Sequence, residues 1–150
     1  MRHYYCSSFS KGYAYKGLLL YESLQRWDKD FRFFMICLHP EVEELFAKMR
    51  LKNATIISLS AIEGQDRELL KVKGSRNEKE YAWTIKASIM LYLFDNFPGI
   101  DHIVWLDGDT CFYSDPQPIF TEWGNHSIVL TEEKWSEANQ KRRYTKGIFN

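Results

Sequence analysis

Asp107 and Asp109 stand one residue apart at the end of the apolar run Ile103-Val104-Trp105-Leu106. Two carboxylates so close together supply hard oxygen ligands, the donor chemistry that suits Mg²⁺ and Mn²⁺ better than zinc or copper. The apolar run reads as a buried strand, so the pair falls at a strand's carboxyl end. In an open α/β sheet, ligands bind outside those ends. A divalent cation held there could grip a diphosphate and stabilise it as it leaves. Asp and Gly are also favoured turn residues, and a plain tight turn is the competing account of Asp107-Gly108-Asp109. A turn needs only polarity at this point, whereas an apolar strand that stops directly at two carboxylates aims them at a ligand-binding edge.

The elements that must position this pair follow from hydrophobic spacing. Strand and helix patterns alternate from the start of the chain. Tyr4 to Ser8 reads as a first strand, and Ser10-Lys11-Gly12 as a turn. Tyr13 to Trp27 then carries Ala14, Leu18, Tyr21 and Leu24 at helical spacing, with Gly17 allowing close approach to a sheet. Phe31 to Leu38 is a mostly apolar second strand. Pro40 opens a helix with acidic residues in its first turns and Lys48 and Arg50 at its end, as the helix dipole favours. Ala54 to Leu59 is a third strand, and the polar stretch from Ser60 to Gly74 holds irregular helical turns. Ser75-Arg76-Asn77-Glu78 fits a capping box that starts a long helix ending near Phe97-Pro98-Gly99. The strand before the acidic pair follows. Ser114-Asp115-Pro116 then begins a short helix through Phe120 and Trp123, and Ser127 to Thr131 reads as a further strand.

A β-α-β-α-β-α-β order implies an α/β fold: a Rossmann-like, mainly parallel sheet with helices on both faces. At 150 residues with 45% hydrophobic content the chain reads as one soluble domain spanning 1–150, with enough length for a real core. No Gly-x-Gly-x-x-Gly follows the first strand and no Walker A sequence occurs, which argues against dinucleotide oxidoreductases and P-loop enzymes. Twenty basic and twenty acidic residues cancel, so no global field recruits nucleic acid or an anionic membrane. Lys141-Arg142-Arg143 is the one dense basic cluster and reads as a solvated loop. No apolar run reaches the ~18 residues of a membrane helix, and no signal peptide precedes the first strand. Cys6, Cys37 and Cys111 are far apart and odd in number, each in or beside an apolar run, so all three are expected as buried free thiols of a cytoplasmic protein. Two sequon matches, at Asn53 and Asn125, are short enough to arise by chance.

Two aspartates after a strand also occur in haloacid-dehalogenase-type phosphatases. That family has Thr or Val two positions after the second Asp, where this chain has Cys111, and its pair follows the first strand rather than the fourth. The sequence instead resembles the GT-A glycosyltransferases, the nucleotide-diphospho-sugar transferase superfamily, and among them the glycogenin-like family 8 enzymes. Three blocks carry the likeness: Tyr13-Ala14-Tyr15-Lys16-Gly17-Leu18 with Tyr21, Ser23 and Leu24; Glu80-Tyr81-Ala82-Trp83-Thr84-Ile85-Lys86; and Trp105-Leu106-Asp107-Gly108-Asp109 continued by Ser114-Asp115-Pro116 and Ile119-Phe120.

The resemblance implies a metal-dependent transfer of a sugar from a nucleotide-diphosphate donor, a UDP-sugar, to an acceptor hydroxyl. Asp109 would bind Mn²⁺ or Mg²⁺, and Asp107 would contact that metal or the donor's ribose. Tyr13 would stack on the nucleobase, with Ser7 nearby, and Arg76 and Lys86 would approach the diphosphate or donor sugar. Lys86 has independent support, because a lysine beside Trp83, Met90 and Leu93 on a helix needs an anionic partner or must snorkel to water. Thr84 and Trp83 are expected to pack the helix. Glu132 and Glu133 are formal candidates for a general base, which only an inverting enzyme requires. Complete members of the superfamily are considerably longer, and Gly147-Ile148-Phe149-Asn150 resembles the start of their Asn-containing strand. The chain is therefore expected to be the donor-binding part, with an acceptor that could be a saccharide or a lipid-linked saccharide. A non-catalytic module that binds a nucleotide sugar or a partner is the alternative function.

Overall fold

Four strands form one parallel sheet in the computed structural model, which describes residues 2–130. They are β1 (His3–Phe9), β2 (Phe31–Cys37), β3 (Ala54–Ser58) and β4 (Val104–Trp105), in the spatial order β3-β2-β1-β4. The helices are α1 (Ala14–Trp27), α2 (Pro40–Met49), α3 (Leu59–Gln65), α4 (Arg67–Lys73), α5 (Glu78–Asn96) and α6 (Gln117–Trp123), with a 3₁₀ turn at Lys11–Tyr13 before α1. The chain divides into two units, Met1–Gln117 and Pro118–Asn150. The first holds the whole sheet. In the second, the Phe120 and Trp123 rings stack at 6.0 Å, and the Trp123 indole donates to the His126 carbonyl at 2.6 Å.

The Phe-Arg-Phe-Phe-Met-Ile-Cys sequence of β2 explains its central place, since a parallel strand covered on both sides needs apolar residues at nearly every position. Register then sorts the side chains. Tyr5, Phe9, Phe31 and Phe33 face α1 and α2, where the Phe9 ring meets Phe46 of α2 at 5.7 Å and the Tyr21 ring of α1 meets Phe31 at 6.3 Å. Cys6, Phe34, Ile36 and Ile57 face the other way and pack with Ile62, Leu69 and the α5 stripe Tyr81, Ile85, Ile89 and Leu93. That stripe recurs every fourth residue, one face of a helix. The buried Glu63 carboxylate ties the three helices on this side together by accepting from Lys73 of α4 at 2.7 Å and the Tyr81 hydroxyl of α5 at 2.8 Å.

Helices thus cover both faces, as the alternating pattern implies. The order of the strands fixes the place of interest. From β1 the chain winds outward through β2 to β3, then crosses back by α3, α4 and α5 to lay β4 on the other side of β1. The direction of winding reverses between β1 and β4, and the crevice beyond their carboxyl ends is where such sheets take ligands.

Three sequence expectations need correction. The capping box of α5 is built by Asn77 and Glu80, not Ser75 and Glu78: the Asn77 side chain accepts from the Glu80 N–H at 3.0 Å and Glu80 returns the bond at 2.9 Å. Ser75 is already engaged, its hydroxyl donating to the Val72 carbonyl at the end of α4. Cys6 and Cys37 are buried free thiols, but Cys111 is exposed, because β4 ends at Trp105 and a turn carries the chain outward before Cys111. Residues 127–130 form no strand. Thr131, Glu132, Glu133, Lys141-Arg142-Arg143 and Gly147-Ile148-Phe149-Asn150 lie outside the described residues. No helix among the described residues is long and apolar enough to cross a membrane.

Candidate functional site

Leu106 continues the pairing of β4 with β1 by donating its N–H to the Cys6 carbonyl at 2.9 Å. The chain then turns: the Thr110 N–H returns to the Asp107 carbonyl at 2.9 Å, closing a four-residue turn over Asp107-Gly108-Asp109-Thr110. Glycine at the second position lets the turn pack closely. A Cβ added to Gly108 would sit 3.3 Å from both Phe9 Cε1 and Tyr13 Cδ1, so the turn rests directly on those two rings. Gly17 of α1 meets the same ring more closely, with an added Cβ 2.8 Å from Phe9 Cδ1 and Cε1. Phe9 is fully buried, so α1, the end of β1 and the acidic turn share one aromatic support. Beyond the turn the Phe112 N–H donates to Ser23 Oγ of α1 at 3.1 Å, which pins the outgoing chain.

Each carboxylate has a lysine from a different helix. Asp107 Oδ1 accepts from Lys86 Nζ of α5 at 2.8 Å and from the Trp105 indole at 3.0 Å. Trp105 precedes Asp107 by two residues, and that spacing puts both on the α5 side of the strand line. The hydrogen bond from Lys86 holds the Asp107 carboxyl below the ordinary carboxylate range, against the upward push of burial, and the Trp105 bond and the Lys86 charge add to it. Asp109 Oδ2 lies 3.8 Å from Lys16 Nζ of α1. Both ammonium groups also sit over aromatic rings, Lys16 at 4.2 Å from the Tyr13 centroid and Lys86 at 5.0 Å from that of Trp105.

A groove of about 750 Å³ opens on this constellation, a size usual for small-molecule sites. Asp107, Gly108, Asp109, Tyr13 and Lys86 line it, as do Trp83 and Trp105. The fold therefore brings together four of the six candidate residues, Tyr13, Lys86, Asp107 and Asp109. Ser7 is elsewhere: it is fully buried within β1, and the serines that line the groove are Ser8 and Ser10. Arg76 is exposed on the loop before α5 and is not part of the lining. Trp83, expected to pack the helix, is 60% exposed, and Lys79 Nζ lies 5.1 Å from its ring. Lys16 was legible only as a neighbour of Tyr13 three residues on along a helix; its partner Asp109 is brought to it by the strand order. A second groove, of about 880 Å³, runs along α1 and meets the first at Asp109; Tyr15, Leu19, Trp27 and Tyr113 contribute to it.

The donor set fits a hard divalent cation. Among the described residues no cluster of three or more His, Cys, Asp or Glu side chains could enclose a metal. Mg²⁺ and its analogues are commonly held by one or two carboxylates, with phosphate oxygens and water completing the shell. Asp107 and Asp109 match that pattern.

The lowered Asp107 pKa has a directional consequence. The ion pair with Lys86 is intact at neutral pH and is lost as pH falls through the depressed carboxyl pKa, so its contribution to stability disappears on the acid side. Replacing Lys86 with Met is expected to raise the Asp107 pKa toward the ordinary carboxylate value of ~3.9. A carboxyl-detected NMR titration of the metal-free protein reads this directly, and an unchanged Asp107 midpoint would rule out Lys86 as the dominant influence.

No family profile matches the sequence. The chain is 32% identical over 127 residues to YfnF, an uncharacterized protein of Bacillus subtilis (strain 168), a match covering 85% of the chain and 41% of that protein. With YfnD of the same organism, also uncharacterized, it shares 28% identity over 141 residues, 94% of the chain and 45% of the relative. The chain thus spans less than half the length of these two relatives. Among solved structures, the apo form of mouse xyloside xylosyltransferase 1 superposes with a TM-score of 0.52 at 16% identity, over 83% of this chain and 49% of that one. The parallel α/β architecture described above is therefore one that a glycosyltransferase also uses.

Proposed function

We propose that the groove between β1 and β4 binds the diphosphate of a nucleotide sugar, a UDP-sugar, with Mn²⁺ or Mg²⁺ on Asp107 and Asp109, and that the chain is the donor-binding part of a glycosyltransferase. One observation carries this reading: Asp107, Asp109, Lys86 and an aromatic wall of Tyr13, Trp83 and Trp105 converge on the crevice where strand order reverses. The likeness of fold to a xylosyltransferase supports the same chemistry.

Asp109 and Asp107 would hold the cation, which when bound supplies positive charge to neutralise a departing diphosphate. The chain's own residues do the rest. Tyr13, 41% exposed at the groove wall, offers a ring face to a nucleobase, and Lys86 stands ready to pair with a phosphate or sugar oxygen. The sugar would be transferred through an oxocarbenium-like state, as in glycoside hydrolysis. The groove along α1 gives an acceptor a route to the same turn, and the Tyr15, Trp27 and Tyr113 rings offer it amphipathic faces of the kind a saccharide can lie against. The whole protein's acceptor is a saccharide or lipid-linked saccharide in this reading. Three free cysteines support a reducing compartment, the cytoplasm.

Calorimetric titration of the chain with UDP, with and without Mn²⁺, tests the donor site. Binding that depends on Mn²⁺ and weakens about tenfold or more in Asp109→Ala is expected, a loss of about 1.4 kcal/mol or greater. Equal affinity in Asp109→Ala would refute the metal assignment, and no binding by the parent under any metal condition would refute the reading. Product analysis with a UDP-sugar then separates transfer from binding alone.

A further inference from the structure

A cation would reach Asp107 and Asp109 in competition with two ammonium groups: one oxygen of each carboxylate already faces a lysine, from opposite sides of the sheet. Lys86 reaches down from α5 and Lys16 across from α1, and each is steadied over a ring that forms part of the groove, Trp105 and Tyr13. The charges within each pair cancel, so neither pair presents a net charge to a cation or an anion. A divalent cation and an ammonium compete for the same carboxylate oxygens. Once a cation takes those oxygens, both ammonium groups lose their partners; Lys86 lines the donor groove, and Lys16 stands where the groove along α1 meets it at Asp109.

We infer that Lys16 and Lys86 are exchange groups: they neutralise Asp109 and Asp107 before ligand binds and pass to the diphosphate when the metal replaces them. The inference rests on the donor-site reading above and adds Lys16 to the residues that contact the donor. Two consequences follow. Metal and nucleotide bind with positive coupling, and by linkage each raises the affinity for the other by the same factor. A lysine removed from this arrangement acts on the two ligands with opposite signs, because it competes with one and attracts the other.

The test uses the parent chain, Lys16→Met and Lys16→Arg. Mn²⁺ binding alone is read by the loss of the free-ion signal in electron paramagnetic resonance, and UDP binding at saturating Mn²⁺ by calorimetry. Pairs as exposed as this one couple weakly, so Lys16→Met is expected to bind Mn²⁺ alone about two- to fivefold more tightly and UDP about two- to fivefold more weakly. Lys16→Arg should stay close to the parent in both. A lysine that merely supports the fold would move both affinities in one direction or neither. If the parent binds both ligands but Lys16→Met shifts them together or not at all, the exchange is wrong and the donor site stands. If the parent binds neither, the donor-site reading fails and the exchange falls with it.

Discussion

Phe9→Ala is expected to destabilise the protein by about 3–5 kcal/mol and, in whatever remains folded, to weaken UDP binding. The first effect follows from burial. Phe9 is fully buried, edge-on to Phe33 at 6.1 Å and to Phe46 at 5.7 Å, and truncation leaves a cavity between β1, β2 and α2. For a domain of this size the melting temperature should fall by roughly 6–20 °C. The second effect follows from what rests on the ring. Gly17 of α1 and Gly108 of the acidic turn both approach Phe9 as closely as a missing Cβ allows, so its loss removes the support under Asp107 and Asp109. Phe9→Leu retains bulk and should keep most of the stability while still loosening the turn. Unchanged UDP affinity in both variants would show that the turn is held by something other than this ring.

Asp28→Ala provides the contrast, with a similar loss of stability and no effect on the groove. The Asp28 carboxylate is buried at the amino end of β1. Its Oδ2 accepts from the Tyr5 hydroxyl and from His3 Nδ1, both at 2.8 Å, and its Oδ1 accepts from the Asp30 N–H at 3.1 Å. A carboxylate can only accept, so Nδ1 is the protonated nitrogen of His3 in this contact. Burial, reinforced by the bond to Asp28, pushes the Tyr5 phenol far above its ordinary pKa, so it remains a donor at any working pH. Removing the shared acceptor from a buried cluster is expected to cost about 3–5 kcal/mol. His3 opens β1 and Phe9, the ring under the acidic turn, ends it, about 20 Å apart at the strand's ~3.3 Å per residue. UDP affinity measured below the lowered melting point should match the parent. A denaturant midpoint unchanged from the parent would show the cluster to be dispensable.

Much of the fold was legible because the deciding signals are local. β2 is a nearly continuous apolar run, α5 is bounded by a capping pattern and Phe97-Pro98-Gly99, and the acidic first turns and basic last turn of α2 mark its ends. What was misread involves competition that spacing does not display. Two overlapping capping patterns, Ser75 to Glu78 and Asn77 to Glu80, are equally good in sequence, and the end of α4 decides between them by occupying Ser75. Adjacent Ser7 and Ser8 differ by one position, and in a strand covered on both sides no polar alternation tells which one points at the groove. Lys16 and Asp109 are far apart in sequence and meet only because β4 is laid beside β1. The acidic pair itself was visible, since an apolar strand runs straight into it. Its two lysine partners come from different helices, and only the folded arrangement pairs both with it.

The central claim is that the crevice between β1 and β4 takes a nucleoside diphosphate with a divalent cation. Nitrogen-15 correlation spectra of the chain, recorded as UDP is added with diamagnetic Mg²⁺, test it most directly. The amides of Ser8, Ser10, Tyr13, Gly108 and Asp109 should shift together with a single apparent affinity, and that response should vanish without Mg²⁺. Amides around His3 and Asp28, at the far end of the same strand, should hold still. Saturating UDP and Mg²⁺ that leave Gly108 and Tyr13 unmoved would contradict the claim.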